Sequence, residues 1–377
     1  MDIQTFAHTT AGGWGRAFPA WDSPATLVMV FGASRRLDDP GPLSDLLAAY
    51  PTSHVIGCST SGEIRGTSID DDSLSVAVCR FGHTRLRSTA AEVGPLAADS
   101  ARAGREIASA LMADDLKSVL VISDGIRVNG AELVRGMNDV LPPSVVVTGG
   151  LAGDGDRFQR TWVVAQGRPV ANWISAVGFY GDRIHVAHGS KGGWDPFGPE
   201  RVVTRSQGNV VYEIDGRPAL ALYKEYLGDR ATGLPATALL FPLGLLEKGA
   251  PPLVRTILSI DEGGQSMTFA GDVPQGHRVQ LMRGVFDRLV DGAADAGRET
   301  AGAVRDGAPG LAVAISCVGR RLVLGQRAED ELEAAREALP PEASLIGFYS
   351  YGEISPAGFG PCSLHNQTMT LTHFQEL

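Results

Sequence analysis

Cysteine is scarce and unpatterned: Cys58, Cys79, Cys317 and Cys362 are the only four in 377 residues, and none lies in a Cys-x-x-Cys pair. That spacing excludes a zinc ribbon or a disulfide framework and leaves reduced, mostly buried thiols. Positive charge is also in short supply. With 33 Lys and Arg against 43 Asp and Glu, the formal net charge is −10. That balance is wrong for a surface that must collect phosphates and release counterions. Neither a nucleic-acid partner nor a membrane face is expected. No segment approaches the roughly 20 apolar residues of a membrane span. Met1, Asp2, Gln4 and His8 open the chain without the basic-then-apolar order of a secretory signal. The chain reads as cytoplasmic, with small ligands and proteins as the remaining partner classes.

Ordinary globular material is present. Hydrophobic residues make up 44% and charged residues 20%, enough to fold the whole length as two domains or one duplicated domain. Residues 25–32 (ATLVMVFG) form a continuous apolar run, too short for a helix and suited to a strand buried on both faces. Residues 42–50 then read as a short helix with Pro42 in its first turn, stopped by Pro51 and followed by a strand at Val55 and Ile56. That strand enters Gly57-Cys58-Ser59-Thr60-Ser61-Gly62-Glu63-Ile64. The same order of strand, helix, Pro, strand and turn recurs near the other end, leading into Gly347-Phe348-Tyr349-Ser350-Tyr351-Gly352-Glu353-Ile354. Pro51/Pro341, Gly57/Gly347, Gly62/Gly352 and Glu63/Glu353 share one offset of 290. A weaker third copy has a strand over 119–123, a helix over 132–140, Pro142-Pro143, and Gly149-Gly150-Leu151-Ala152-Gly153-Asp154. The predicted class is therefore α/β, with repeated strand-helix-strand units in two related halves and mixed sheets.

Between the repeats, residues 189–199 (GSKGGWDPFGP) are the densest run of breakers, and a domain change is expected just beyond them. Residues 202–214 read as a strand pair turning at Gly208-Asn209, 218–227 as a helix, and 366–373 as the final strand.

The repeated turn has two readings. Its glycines let the backbone approach a ligand, with Glu63, Glu353 or Asp154 offering a carboxylate beside it; alternatively the carboxylates cap the turn's own amides. Cys58 follows a strand as an activated nucleophile would, but Ser61 stands where a Gly-x-Ser-x-Gly elbow needs glycine. The C-terminal copy has Phe348 in place of the thiol. A cysteine-dependent enzyme using Cys58 is thus the least favoured class, and no catalytic residue is assigned. His185 and His188, three apart in a strand, fall on opposite faces and cannot share a metal. His365 at a strand start, with Asn366 beside it, has the character of a haem ligand or of a satisfied core histidine.

Taken together, residues 57–64, 149–155 (GGLAGDG), 176–182 (AVGFYGD), 215–243 and 347–372 (from GFYSYGEISP to LHNQTMTLT) resemble the FIST family, the F-box and intracellular signal transduction sensory domain. The resemblance implies a FIST N domain over 1–212 and a FIST C domain over 213–377. It also implies a small-ligand sensor, proposed for the family to detect amino acids or their derivatives, that is not an enzyme. The chain leaves no length for an output module, so a partner in trans is expected, a histidine kinase foremost. A branch of stand-alone FIST proteins (NosP-like) binds haem and senses nitric oxide. Membership there would make His365 the iron ligand, with Phe348, Phe359 and Met369 around the macrocycle and Arg65 or Arg320 at the propionates. The expected ligand-binding set is Gly57, Cys58, Glu63, Asp154, Tyr351, Glu353, His365 and Asn366.

Overall fold

The computed structural model describes residues 1–377 except 95–96, 235, 250–251, 306–308 and 357–360, together with the side chains of 97 and 98. The chain builds one strand-helix-strand unit three times. Module I comprises β1 (Asp2–Thr9), β2 (Gly13–Trp14), β3 (Thr26–Gly32), α1 (Gly41–Ala49), β4 (His54–Ser59), β5 (Glu63–Arg65), β6 (Ser68–Asp70) and β7 (Ser73–Arg80). Module II comprises β8 (Arg85–Glu92), α2 (Ala97–Leu111), β9 (Leu116–Ser123), α3 (Gly130–Asn138), β10 (Val146–Leu151), β11 (Val163–Ala165), β12 (Arg168–Val170) and β13 (Trp173–Tyr180).

Module III opens with β14 (Ile184–Lys191) and is then interrupted. The insertion holds β15 (Trp194–Gln207), β16 (Val210–Ile214), β17 (Arg217–Pro218), α4 (Ala219–Leu227), β18 (Leu243–Leu246), β19 (Leu253–Arg255), β20 (Ile257–Asp261), β21 (Ser266–Phe269) and β22 (Arg278–Gly284). The module resumes with α5 (Phe286–Ala303), β23 (Gly310–Cys317), α6 (Val318–Leu324), α7 (Ala328–Ala338), β24 (Ser344–Ser350), β25 (Gly352–Pro356), β26 (Cys362–His365) and β27 (Met369–Glu376). The two halves of the sequence repeat correspond to modules I and III, and module II is a third copy of the same unit.

Each module contributes a parallel central pair (β3 with β4, β9 with β10, β23 with β24) flanked by antiparallel strands. Its hairpin leaves for a neighbour. The module I hairpin extends the module III sheet through β5 on β24, that of module II extends the module I sheet through β11 on β4, and that of module III extends the module II sheet through β25 on β10. This cyclic exchange makes the three sheets interdependent.

Burial follows from the exchange. The inward faces meet in one axial core that includes Phe31, Ile122, Phe179, Ile315, Phe348 and Phe374. Each outward face is covered separately: by α1, Trp14 of β2 and the loop aromatics Phe18 and Trp21 in module I, by α2 and α3 in module II, and by α5 and α7 in module III. Strands buried on both sides need apolar side chains at every position, which is why β3 reads as an unbroken run. The insertion packs α4 against its own sheet around Val211, Tyr223 and Phe269.

The breaker run 189–199 ends β14 and opens the long strand β15, with a register shift between Phe197 and Arg201. One sequence expectation needs correction. The last strand begins at Met369, because Gln367 takes a left-handed φ of 59° that breaks extended backbone before it.

Candidate functional site

The carboxyl ends of the parallel strands converge on a ring of three equivalent backbone hydrogen bonds. Ser61 N–H donates to Tyr349 O at 2.8 Å, Tyr351 N–H to Leu151 O at 3.1 Å, and Gly153 N–H to Ser59 O at 2.9 Å. Each turn thus donates to the neighbouring module. Gly57, Gly149 and Gly347 occupy one equivalent position. A β-carbon there would lie 1.9, 1.7 or 1.8 Å from the carbonyl oxygen of Val30, Val121 or Ala314 on the parallel partner strand. Gly57 is therefore required by strand packing rather than by approach to a ligand.

Glu63 and Glu353 are buried latches. Glu63 accepts from the Thr60 hydroxyl and from Ser73 N–H and Oγ at 2.9 and 3.0 Å. Glu353 repeats the pattern, with Ser350 Oγ at 2.6 Å, Thr368 N–H at 3.2 Å and Thr368 Oγ1 at 2.9 Å. Burial pushes the two carboxyls up to about 7 and about 8, against the pull of those hydrogen bonds. In module II the strand register puts Val163 at the matching position. Its buried carboxylate comes instead from Asp124, which accepts from Ile126, Arg127 and Asn172 N–H and from the Thr161 hydroxyl.

Asp154 has a different task. Burial opposes its charge, but hydrogen bonds from Ser34, Arg157 and Arg160 prevail and hold it below the usual carboxylate range. It accepts from Arg157 at 2.6 and 2.9 Å and from Gln159 and Arg160 N–H, so it is the hub of the loop 154–160. Tyr351 stitches the same loop, donating to Gly155 O at 3.1 Å and accepting from Phe158 N–H at 3.2 Å.

Among the described residues a cleft lies at each of the module boundaries around the ring. The first, about 380 Å³, lies between Thr60, Ser61 and Gly62 of the module I turn and Val318, Arg321 and Leu322 of α6, with Asp71 and Arg157 in its walls. The second, about 270 Å³, lies between Arg157 and Arg160 and the loop after β3, including Ser34 and Arg35. It shares Ala33, Asp71 and Arg157 with the first. The third, about 390 Å³, lies between Tyr351 and the loop after β9, and residues of the insertion close one side. In the first cleft Arg321 grips Asp71 with both terminal nitrogens at 2.5 and 2.8 Å and donates to Ser61 O at 2.6 Å. Those Arg321 hydrogen bonds, outweighing burial, depress Asp71.

Of the residues singled out from sequence, Asp154 and Tyr351 stand at this rim. Cys58 lies in the axial core, fully buried, and burial with the nearby Glu63 raises its thiol well above its ordinary value. A buried, protonated thiol is the opposite of an activated nucleophile. His365 and Asn366 lie buried on the module III hairpin and the turn after it, and neither lines one of these clefts. His365 Nε2 is 3.0 Å from Ser355 O, and burial brings the imidazole down to about 4. The Asn366 amide donates to His365 O at 3.0 Å.

These residues do not fit a haem. Phe348 packs on Phe31 in the axial core at 4.7 Å, whereas Met369 belongs to the separate cluster under α5 and α7. Phe359 lies outside the described residues. Arg320 is fully buried against Glu331 at 2.7 Å and cannot reach a propionate. Among the described residues no His, Cys, Asp and Glu grouping could hold a metal ion. No helix among them is long and apolar enough to cross a membrane. Sequence reasoning missed Arg157, Asp71 and Arg321, which sit in loops and on a short helix without periodicity. The only signal was an arginine-rich stretch after each of two strands, Arg35-Arg36 and Arg320-Arg321.

Clefts at the carboxyl ends of parallel strands are where α/β proteins bind small ligands. The chain belongs to the FIST family: the FIST N domain matches residues 26–217 and the FIST C domain residues 219–356. FIST domains are small-ligand sensory domains of signal transduction. An uncharacterized protein of Methanocaldococcus jannaschii, MJ1623, is 24% identical over 268 residues, which are 65% of this chain and 51% of that protein. The chain therefore spans about half the length of that curated relative. Among solved structures, a cyanuric acid hydrolase from A. caulinodans aligns over 99% of this chain and 98% of its own, at 11% identity and a TM-score of 0.35. Another cyanuric acid hydrolase structure aligns over 100% and 99%, at 10% identity and a TM-score of 0.32.

Proposed function

We propose that the chain senses a small zwitterionic or anionic metabolite, an amino acid or close derivative, held in the joined first and second clefts. The observation that carries this reading is the bidentate Arg321–Asp71 pair at the cleft wall, with Arg157 alongside. The Arg321 side chain is 23% exposed and the Asp71 side chain 70% exposed, so the arginine is held in the cleft wall while the carboxylate end of the pair is open to solvent. A ligand carboxylate can take the place of Asp71 on Arg321, while Asp71 turns to receive the ligand's ammonium group and the Thr60 and Ser61 region supplies neutral polar contacts. Exchange at this point changes how the module I turn is tied to α6, a local switch that a signalling partner can read.

A histidine kinase remains the partner class expected from the family resemblance. The burial of His365, Phe348 and Arg320 gives no support to the haem-based nitric-oxide reading. Thermal shift against a panel of amino acids tests the proposal: at least one should raise the melting temperature in wild type and fail to do so in Arg321→Ala and Arg157→Ala. No stabilisation by any member at millimolar concentration would overturn it.

A further inference from the structure

The third cleft stands in the same relation to its two modules as the first and second do to theirs, but its chemistry is different. Ile126, Phe158 and Leu258, exposed by 40%, 46% and 47%, are large apolar side chains from three separate segments, and all three line it. Large apolar groups left open together on one concave surface mark a binding site more often than scattered ones do.

Phe158 is the centre of the arrangement. It lies parallel to Tyr351, with ring centroids 4.3 Å apart and planes 13° from each other. Its backbone has a φ of 52°, an unfavourable conformation for a bulky residue, fixed by its N–H bond to the Tyr351 hydroxyl. The ring is thus held open to the cleft by its surroundings. Arg127, exposed and also lining the cleft, has no ion-pair partner among the described residues. By contrast, Arg35, Arg157 and Arg160 of the second cleft are each paired with an aspartate.

We infer that the third cleft binds a small aromatic acid, whose ring stacks on the Phe158–Tyr351 pair while its carboxylate meets Arg127. The volume of about 390 Å³ suits a molecule of one or two rings. Leu258 and Phe269 of the insertion contribute to the cleft's apolar lining. The site is distinct from the polar clefts and takes a different ligand, although Phe158 is next in sequence to Arg157 of those clefts.

The test is calorimetric titration of the full chain with 2-naphthoate, indole-3-acetate and benzoate, with 2-naphthalenemethanol as the uncharged control. At least one acid should bind saturably. Phe158→Ala should weaken it by about tenfold through lost stacking and burial. Arg127→Gln should weaken the acid by about fivefold and leave the alcohol unchanged. Arg168→Gln, which removes an exposed arginine elsewhere, should change nothing. Circular dichroism and the melting temperature confirm that each variant is folded. Absence of saturable binding by all three acids, an unchanged affinity in folded Phe158→Ala, or equal losses in Arg127→Gln and Arg168→Gln would each overturn the assignment.

Discussion

Replacing Glu63 by Gln tests whether the repeated turn is a buried latch. In the folded chain burial raises this carboxyl from 4.5 to about 7. Between those values the folded state keeps a proton that the unfolded state has released. Stability is therefore full below 4.5, falls as pH rises through the window, and levels off above about 7. At about 1.4 kcal/mol per pH unit, the interval amounts to about 3 kcal/mol. Glutamine mimics the protonated acid: its carbonyl accepts from Ser73 N–H and Oγ, and its amide nitrogen faces the Thr60 hydroxyl, the partners Glu63 has now. Urea unfolding of both proteins from pH 4.5 to 7.5 should show the difference moving by about 3 kcal/mol in favour of Glu63→Gln as pH rises. Glu63→Ala is the control for packing: it strands the Ser73 amide and should cost about 1–3 kcal/mol at pH 4.5, a cost that falls by the same amount of about 3 kcal/mol as pH rises, because alanine does not titrate either. A difference between wild type and Glu63→Gln that is flat with pH, or that turns in favour of wild type at high pH, would refute the latch.

Other consequences are simpler to read. Cys58, Cys79, Cys317 and Cys362 are all buried, so iodoacetamide should label none of them in native protein and all of them in urea; rapid native labelling of Cys58 would restore the nucleophile reading. Glu376 has the opposite linkage to Glu63. Burial raises it, but the Thr84 hydroxyl and the Gly82, His83 and Thr84 amides bring it down to about 2. Its stabilisation is present above 4.5 and lost as pH falls toward 2, so Glu376→Gln should lower stability at neutral pH and flatten the acid limb of an unfolding-versus-pH curve. Glu331→Ala leaves Arg320 buried without its charge partner and should cost about 3–5 kcal/mol by urea unfolding, most of it recovered when Arg320 is also made Met.

Much of the scaffold is visible in the chain because strands buried on both faces leave apolar runs and the helices between them stop at prolines. Residues 42–50 were expected as a helix and α1 spans Gly41–Ala49; the strand expected at 119–123 lies within β9, Leu116–Ser123. The hairpin exchange left no such trace, since pairing partners of β5, β11 and β25 are decided by tertiary proximity and not by local pattern. The site was less legible for a related reason. Arg320 and Arg321 are adjacent in sequence, yet successive helical residues point about 100° apart. One is sealed against Glu331 and the other opens on the first cleft. Module II shows the same limit: Asp154 resembles Glu63 and Glu353 in sequence, but the register gives their position to Val163 and their task to Asp124.

The ring and the loop around it differ in how they can respond to a ligand. The ring bonds at Ser61, Gly153 and Tyr351 tie three mutually extended sheets, so breaking one disturbs all three modules. The loop 154–160 hangs from Asp154 and Tyr351, carries Arg157 into the first and second clefts and Phe158 into the third, and contains the strained φ at Phe158. Strain held by only a few bonds is where a structure yields first. Ligand binding should therefore be felt in the loop while the ring stays fixed. Hydrogen exchange followed by mass spectrometry distinguishes the two: a stabilising amino acid should slow exchange at Arg157, Phe158, Gln159 and Arg160, with Ser61, Gly153 and Tyr351 equally protected with and without it. Ligand-dependent change at the ring amides with none in the loop would show that the signal passes through the shared core instead.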